Sequence, residues 1–302
     1  MQFKPRSYNV LFVTVDSCRF DVARKATLPF LNKIATLRKA EAPASYTLPS
    51  HMSFFIGILP ILKDGDKNYL PGIEQIWRST SAKKRNKAVA VQFNNKTIID
   101  YYIENNYIVA GAGGVSFFSN SKNNILPNLF PKFLYFEKPK GLPSYMNVPR
   151  SIDQFPLGNI EKLVKLLNKK DPFFLFINCP ETHVPFDSPD VQVSNEYKKT
   201  IKHYYAIDCI KYKKVSSNLR MTQNEREILL SAQRKSLEWI DKRLKLLLDK
   251  IPDNNLPTLL LVVSDHGEEF GEGGRYGHAH IHKTITEVPL WCTILNCNEH
   301  RI

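Results

Sequence analysis

Three short runs of almost unbroken apolar residues constrain this 302-residue chain more than any other feature. They cover residues 10–15, 172–179 and 258–264, and valine, leucine, isoleucine and phenylalanine dominate them. A strand with one wet face alternates apolar and polar residues. Runs without alternation are strands covered on both faces, as in parallel sheets. Residues 87–93 and 288–295 are further strand candidates, and 108–118 holds another, blurred by Gly111, Gly113 and Gly114. Helical patterns lie between these runs. Thr27, Leu28 and Pro29 open one that reaches about Leu37, with Pro29 in its first turn. Others cover 51–58, 98–104, 160–168 and 223–250. In the last, Leu237, Ile240, Leu244 and Leu247 mark one face at helical spacing. Strands alternating with helices predict an α/β fold with a mainly parallel central sheet flanked by helices on both faces.

Hydrophobic residues make up 43% of the chain, enough for a sizeable core and against wholesale disorder. No internal repeat or clean linker divides it, so the expectation is a single domain over 1–302. Two irregular substrate-side excursions are expected, at about 119–158, rich in Asn, Pro and Lys, and at about 187–221, polar with Tyr and Lys. The formal net charge of +13 suits acidic partners such as phosphate esters, nucleic acid or an anionic membrane. It equally suits a lysine-rich solvated surface. No aromatic-interleaved basic motif appears, so no specific nucleic-acid partner is expected. No run has the length of a membrane span. The five cysteines lack zinc-type pairing. Cys179 and Cys292 sit in apolar runs and are expected as buried thiols. Reduced cysteines and the absence of a signal-peptide core lead to an expectation of a cytoplasmic protein.

The chemistry gathers where the apolar runs stop. The third run ends in Ser264-Asp265-His266-Gly267-Glu268-Glu269, placing a carboxylate and an imidazole just past a strand's carboxyl end, where open α/β sheets place their sites. That donor pair suits zinc or manganese, whereas calcium prefers oxygen throughout. It would also serve to cap a following helix. Asp16 follows the first run in the same way, and could equally be an N-cap for a helix starting near Arg19. In Thr47-Leu48-Pro49-Ser50-His51, Pro49 fixes the backbone just after Thr47, and a helix beginning near Ser50 would aim its amides at an anion. A threonine hydroxyl is a weak nucleophile until a metal or a base activates it. The bland alternative is a proline-containing helix cap.

These segments resemble the alkaline phosphatase superfamily, in its sulfatase-like hydrolase and transferase branch, and do so in order along nearly the whole chain. Residues 9–21 resemble the first strand and its Asp-Ser-x-Arg-x-Asp turn. Residues 45–57 resemble the nucleophile helix, and 173–186 the strand ending in His183-Val184-Pro185-Phe186. Trp239-Ile240-Asp241 resembles the long helix's aromatic-x-Asp step. Residues 264–272 are close to the Ser-Asp-His-Gly-Glu-x-x-Gly-Glu motif. Gly277-His278 and Val288-Pro289-Leu290 resemble the segments that follow.

The resemblance implies that Asp16, Asp265 and His266 bind one divalent ion and that Thr47 completes its shell. Zinc or manganese is the expected ion, with calcium as an alternative and a second ion left open. Thr47 would attack phosphorus and form a covalent phospho-threonine. His183 and His278 would hydrogen-bond non-bridging oxygens or protonate the leaving group. The implied partner is an anionic small molecule, or a lipid or glycan phosphate ester; the resemblance leaves the oligomeric state unassigned.

Departures sharpen the expectation. Sulfatases of the branch carry a cysteine or serine that becomes formylglycine, whereas Thr47 cannot be converted in that way, and His51 stands where an arginine is usual. Two-metal relatives place an extra Asp and His before the long helix; here only Glu181 and His183 precede it. The reading is therefore a metal-dependent phosphate-ester hydrolase, with a phosphoethanolamine- or phosphoglycerol-type transferase or a non-catalytic anion binder as alternatives. The chain is short for the branch, which suggests that no extended C-terminal subdomain is present. In His278-Ala279-His280-Ile281-His282, strand alternation would put three histidines on one face as a second metal site. The alternative is one functional histidine, His278 or His280, followed by a polar loop. Lys283 could neutralise a phosphoryl oxygen or lie in solvent.

Overall fold

In chain order the elements are β1 (Asn9–Val15), α1 (Phe20–Ala23), α2 (Leu31–Ile34), β2 (Arg38–Glu41), α3 (Thr47–Ile56), β3 (Arg78–Ser79), β4 (Val91–Gln92), α4 (Ile98–Glu104), β5 (Ile108–Gly113), β6 (Lys132–Tyr135), α5 (Ile160–Val164), β7 (Phe173–Cys179), α6 (Asn195–Asp208), α7 (Gln223–Lys250), β8 (Thr258–Val263), β9 (Glu269–Phe270), β10 (Tyr276–Gly277), α8 (Lys283–Thr286) and β11 (Glu287–Leu295). The computed structural model describes residues 7–57, 96–121, 124–136, 150–208 and 214–296, with 78–79 and 91–92 as backbone. Most of the expected strand at 87–93 lies outside the described residues.

Seven strands form the main sheet in the order β2-β11-β8-β1-β7-β5-β6. The five from β8 to β6 run parallel, and β11 is antiparallel to both of its neighbours. β1 lies at the centre, and all seven of its residues are buried. Its pleat divides the core in two. Leu11, Val13 and Val15 pack with Leu237, Ile240, Leu244 and Leu247 of α7. Val10 and Phe12 point to the other face, onto Met52 and Phe55 of α3 and Ile99 and Tyr102 of α4. Helices thus cover both faces, as a sheet of unalternating strands requires. Truncating a side chain such as Leu244 at this seam would cost roughly 2–5 kcal/mol.

Several elements differ from the sequence expectation. The helix expected from Thr27 to Leu37 shrinks to the single turn α2. The buried Asp241 carboxylate on α7 accepts from the amides of Phe30 and Leu31 at 3.1 and 2.8 Å, fixing the start of that turn. Residues 119–158 are not uniformly irregular, because Lys132–Tyr135 adds an edge strand along β5. Residues 187–221 are not a loose lobe either. They contain the 14-residue α6, which packs Tyr197, Ile201 and Tyr204 into a third apolar cluster with Phe186, Leu229 and Phe270. Cys292 is exposed rather than buried. It lies beyond residues 287–290, where β2 pairs with β11, so it sits on the sheet's edge.

Candidate active site

β1 and β8 are neighbours in register, with Thr14 opposite Val263, so the residues just beyond them emerge side by side. Ser17 turns the chain with a φ of 60°, and its amide donates to Asp265 Oδ1 at 3.1 Å. The next amide, of Cys18, donates to Ser264 Oγ at 2.9 Å. This turn places Asp16 against Asp265. Asn178, at the end of β7, donates to Asp16 Oδ2 at 3.0 Å, and the Thr182 hydroxyl donates to the Asp16 carbonyl at 2.7 Å. At Gly267 an added Cβ would lie 2.0 Å from the Thr284 carbonyl oxygen, so only glycine lets the Asp265-His266 turn pass this close to α8.

The convergence is tight. Thr47 Oγ1 lies 3.4 Å from His266 Nε2. Asp265 Oδ2 lies 3.5 Å and Asp16 Oδ1 3.9 Å from the same nitrogen. Asp16, Asp265 and His266 are wholly buried, and Thr47 is nearly so. Among the described residues, Asp16, Asp265 and His266 are the one group of three or more His, Cys, Asp or Glu whose ligand atoms lie close enough to share an ion, all within 4.8 Å.

Three observations fit this cluster to a cation. Asp265 Oδ2 is buried without any hydrogen-bond partner. His266 Nδ1 donates to the Gly267 carbonyl at 2.8 Å, which leaves the Nε2 lone pair pointing into the cluster. Finally, two ligands at about 2.1 Å from a tetrahedral ion are about 3.4 Å apart, close to the observed spacings.

The electrostatics agree. Burial pushes the Asp265 carboxyl well above the usual range, and the nearby Asp16 pushes it further. Burial also opposes charge on Asp16, but His183, His266 and the Asn178 hydrogen bond outweigh it and hold Asp16 low. The protein alone therefore resists two adjacent anions, and a divalent ion would relieve that strain. Burial brings His266 down to about 3, so it is a neutral donor at neutral pH.

Helix α3 begins at Thr47 rather than near Ser50, which puts the hydroxyl on its first residue, and no side chain caps the turn. Gly57, with a φ of 70°, ends the helix before the expected Ile58. His51 is fully buried beneath this turn, with Nδ1 3.6 Å from Asp265 Oδ2. Its Nδ1 donates to the Thr47 carbonyl at 2.8 Å, and Nε2 accepts from the Thr14 hydroxyl at 3.0 Å. Aromatic rings of Phe54, Phe55, Phe118 and Phe176 surround it. Burial brings its pKa down to about 4, so it supports Thr47 as a neutral strut.

His278 lies at the rim, its ring 4.6 Å from that of His266 and 5.5 Å from that of His183. His183 Nδ1 donates to the Val184 carbonyl at 2.8 Å, fixing which nitrogen faces outward. The three alternating histidines do not share a face, because Ala279, with a φ of 68°, breaks the extended chain between them. His280 turns beneath, where Nε2 meets Glu269 Oε2 at 2.7 Å. His282 Nδ1 accepts from the Thr284 amide and caps α8. Lys283 is exposed, and no hydrogen bond or ion pair ties it to the cluster.

Two further carboxylates near the site, Glu268 and Glu181, were visible in the sequence without an assigned role. Glu268 is buried and lies 3.0 Å from His278 Nδ1. Burial opposes its charge, but His278 outweighs this and brings the carboxyl down to about 2. Glu181 is buried with both oxygens unpartnered, and burial raises it to about 8. It sits near a buried pair in which Arg150 Nε lies 2.8 Å from Asp187. A separate cavity of about 490 Å³, lined by Asp190, Tyr197, Glu227 and Ser231, includes none of the converging residues.

The buried carboxylate–imidazole cluster lies beside a helix-borne hydroxyl at the carboxyl ends of a parallel sheet, where open α/β folds place their sites. A family model described as Sulfatase matches residues 9–290, and the chain belongs to that family, within the alkaline phosphatase superfamily of hydrolytic enzymes. Human iduronate 2-sulfatase is 23% identical over 347 residues, covering 93% of this chain and 58% of that protein. The chain thus spans little more than half of the curated relatives it matches. Among solved structures, the phosphonate monoester hydrolase of Agrobacterium radiobacter superposes with a TM-score of 0.59 at 13% identity, covering 97% of this chain and 69% of that one. The C-terminal periplasmic domain of EptC from Escherichia coli, in complex with zinc, does so at 0.57 and 12%, covering 97% and 74%. The lipooligosaccharide phosphoethanolamine transferase A of Neisseria meningitidis does so at 0.55 and 15%, covering 98% and 50%. At these identities the likeness establishes the fold. Among the described residues, no helix is long and apolar enough to cross a membrane.

Proposed function

We propose that the chain is a metal-dependent phosphate-ester hydrolase acting through a covalent phospho-Thr47. The observation that carries this reading is the 3.4 Å approach of Thr47 Oγ1 to His266 Nε2, beside the unpartnered oxygen of Asp265. Asp16, Asp265, His266 and Thr47 would hold the ion. A bound zinc or manganese ion would lower the pKa of the Thr47 hydroxyl and polarise a phosphoryl oxygen.

The remaining chemistry belongs to the side chains. Helix α3 aims its uncapped first turn at the phosphoryl group, and its dipole favours the anion there. His51 holds the Thr47 carbonyl and so fixes the hydroxyl's direction. Thr47 Oγ1 forms a bond to phosphorus as the bond to the leaving oxygen breaks; the hydroxyl proton passes to solvent, and the departing oxygen takes one up. His278 and His183 contact the departing and non-bridging oxygens through the nitrogens that their Nδ1 contacts leave outward. Water then takes the phosphoryl group from Thr47 and regenerates the hydroxyl.

Phosphate is favoured over sulfate by the nucleophile's chemistry. A formylglycine is an aldehyde made from a primary thiol or alcohol, whereas the Cβ of Thr47 carries a methyl and would oxidise only to a ketone. The net charge of +13 favours an anionic substrate, whether a small molecule or a lipid or glycan phosphate ester. The test compares an aryl phosphate monoester, diester and sulfate with zinc, manganese, calcium or chelator. Phosphate-ester turnover that needs metal, with an 80 Da adduct trapped on the Thr47 peptide, is expected. Sulfate turnover equal to phosphate turnover would overturn the proposal.

A further inference from the structure

Helix α6 reaches into the site through one side chain. The Tyr204 hydroxyl donates to Glu268 Oε1 at 2.5 Å, and the other oxygen of that carboxylate lies 3.0 Å from His278 Nδ1. Tyr204 and Glu268 are both buried, whereas the His278 side chain is 28% exposed, so the chain of contacts runs from the interior out to the rim. The Tyr204 ring is fixed in turn against Phe270, with centroids 6.0 Å apart, and Phe270 packs on Phe186 at 5.9 Å. The backbone of His278 is held on both sides, by the pairing of Gly277 with Glu269 and by the Ala279 amide, which donates to the Ser45 carbonyl at 2.7 Å. That fixes where the residue stands, and the direction of its ring depends on what holds Nδ1.

We infer that Tyr204 and Glu268 are positioning residues that aim His278 at the departing oxygen, so that helix α6 sets how well poor leaving groups are handled. The inference rests on the phosphate-ester reading above and adds a function for the 187–221 segment. The imidazole straddles the carboxylate, with Nδ1 3.0 Å from Oε2 and 3.3 Å from Oε1, so the Tyr204 hydroxyl and the ring share Oε1. Removing the hydroxyl frees the carboxylate to rotate, and the ring it aims rotates with it. The loss falls on the step where negative charge grows on the leaving oxygen. An activated leaving group carries that charge unaided; an unactivated one does not.

The experiment uses the zinc-loaded protein, Tyr204→Phe, and His203→Gln as a control on the same helix, where His203 meets Glu225 at 2.7 Å. Turnover of phenyl phosphate by Tyr204→Phe should fall about tenfold, the effect of one hydrogen bond to a charged group, and that of 2,4-dinitrophenyl phosphate less than twofold. KM and zinc content should be unchanged, and His203→Gln should behave as wild type. A slowdown of equal size for both esters, or none for either, overturns the inference. Glu268→Gln should give the same pattern, and serves if Tyr204→Phe does not fold. An activity-independent measurement separates this inference from the reading beneath it. In histidine-labelled NMR spectra of the zinc form, the His278 Nδ1 proton signal should move in Tyr204→Phe while that of His266 stays. If wild type cleaves no phosphate ester, the functional reading fails, and an unmoved His278 signal then rejects the positioning role as well.

Discussion

The floor and the rim of the site are built differently. At the floor, Asp16, Asp265 and His266 follow directly from β1 and β8, and α3 delivers Thr47 from its first residue. Backbone amides and carbonyls fix these groups, and the strand register sets their spacing. At the rim, His183 and His278 sit on irregular backbone and take their direction from neighbouring side chains and turns. On the proposed reading the floor would hold a cation, and the rim would face what that cation binds. Within one family, the first should change little and the second should carry selectivity.

Thr47→Ala gives the largest test of this division. Turnover should fall on the order of 10⁴-fold, while bound metal, measured by elemental analysis, stays near one ion because three ligands remain. Loss of the metal together with the activity would mean that floor and nucleophile cannot be separated. Asp265→Asn should act the other way. Metal affinity should drop more than about 100-fold, since even outer-shell partners are worth 10–100-fold. The metal-free variant should melt higher than metal-free wild type, because one of two crowded buried carboxylates is gone. A lower melting temperature would show that the pair is not strained without metal.

Smaller effects probe the support of the floor. His51→Phe leaves the Thr14 hydroxyl and the Thr47 carbonyl short of a partner, and should cost about 1–3 kcal/mol in denaturant unfolding. The same residue produces a pH signature. Its pKa is about 4 in the folded chain against an ordinary 6.5, so between these values the unfolded chain binds a proton that the folded one refuses. Stability should fall as pH drops from 6.5 to 4, by on the order of 3 kcal/mol from this group, and level off below that. The difference between metal-free wild type and His51→Phe over this range isolates the effect from His266. Parallel stability curves for the two proteins would refute it.

The sequence made the floor readable because its logic is local. An unalternating apolar run announces a buried strand, and the next polar residue announces its end, which is how Asp16 and Asp265 stand out. Helix α7 was equally plain, since twenty-eight residues with a repeating apolar face allow one reading. The resemblance named His183 and His278 at the rim, but what surrounds and supports them was not readable, for three physical reasons. The direction of β11 depends on its partner rather than on its own residues, so 288–295 was readable as a strand while its antiparallel direction was not. Helix α6 carries Lys198, Lys199 and Lys202, and its apolar side is visible only once Phe270 and Leu229 are beside it. The His278–His282 alternation promised a shared face, but a single positive φ at Ala279 scattered the three rings. Glu268 looked like one more acid in a polar motif, and only contact with His278 distinguishes it.

The clasp formed by the last strand also has a consequence for how the protein is made. Ser264 donates its amide to Pro289, Gly267 to Ile285 and Glu268 to Thr284, so the turn bearing Asp265 and His266 is seated by residues 284–289. A ribosome releases those residues only after the two strands that lead to Asp16 and Asp265 have emerged. Asp16 is therefore made long before the turn that would join it is seated. On the proposed reading, metal capture would wait for residues 284–289, and a chain stalled before residue 284 would have its sheet begun and its centre unable to close.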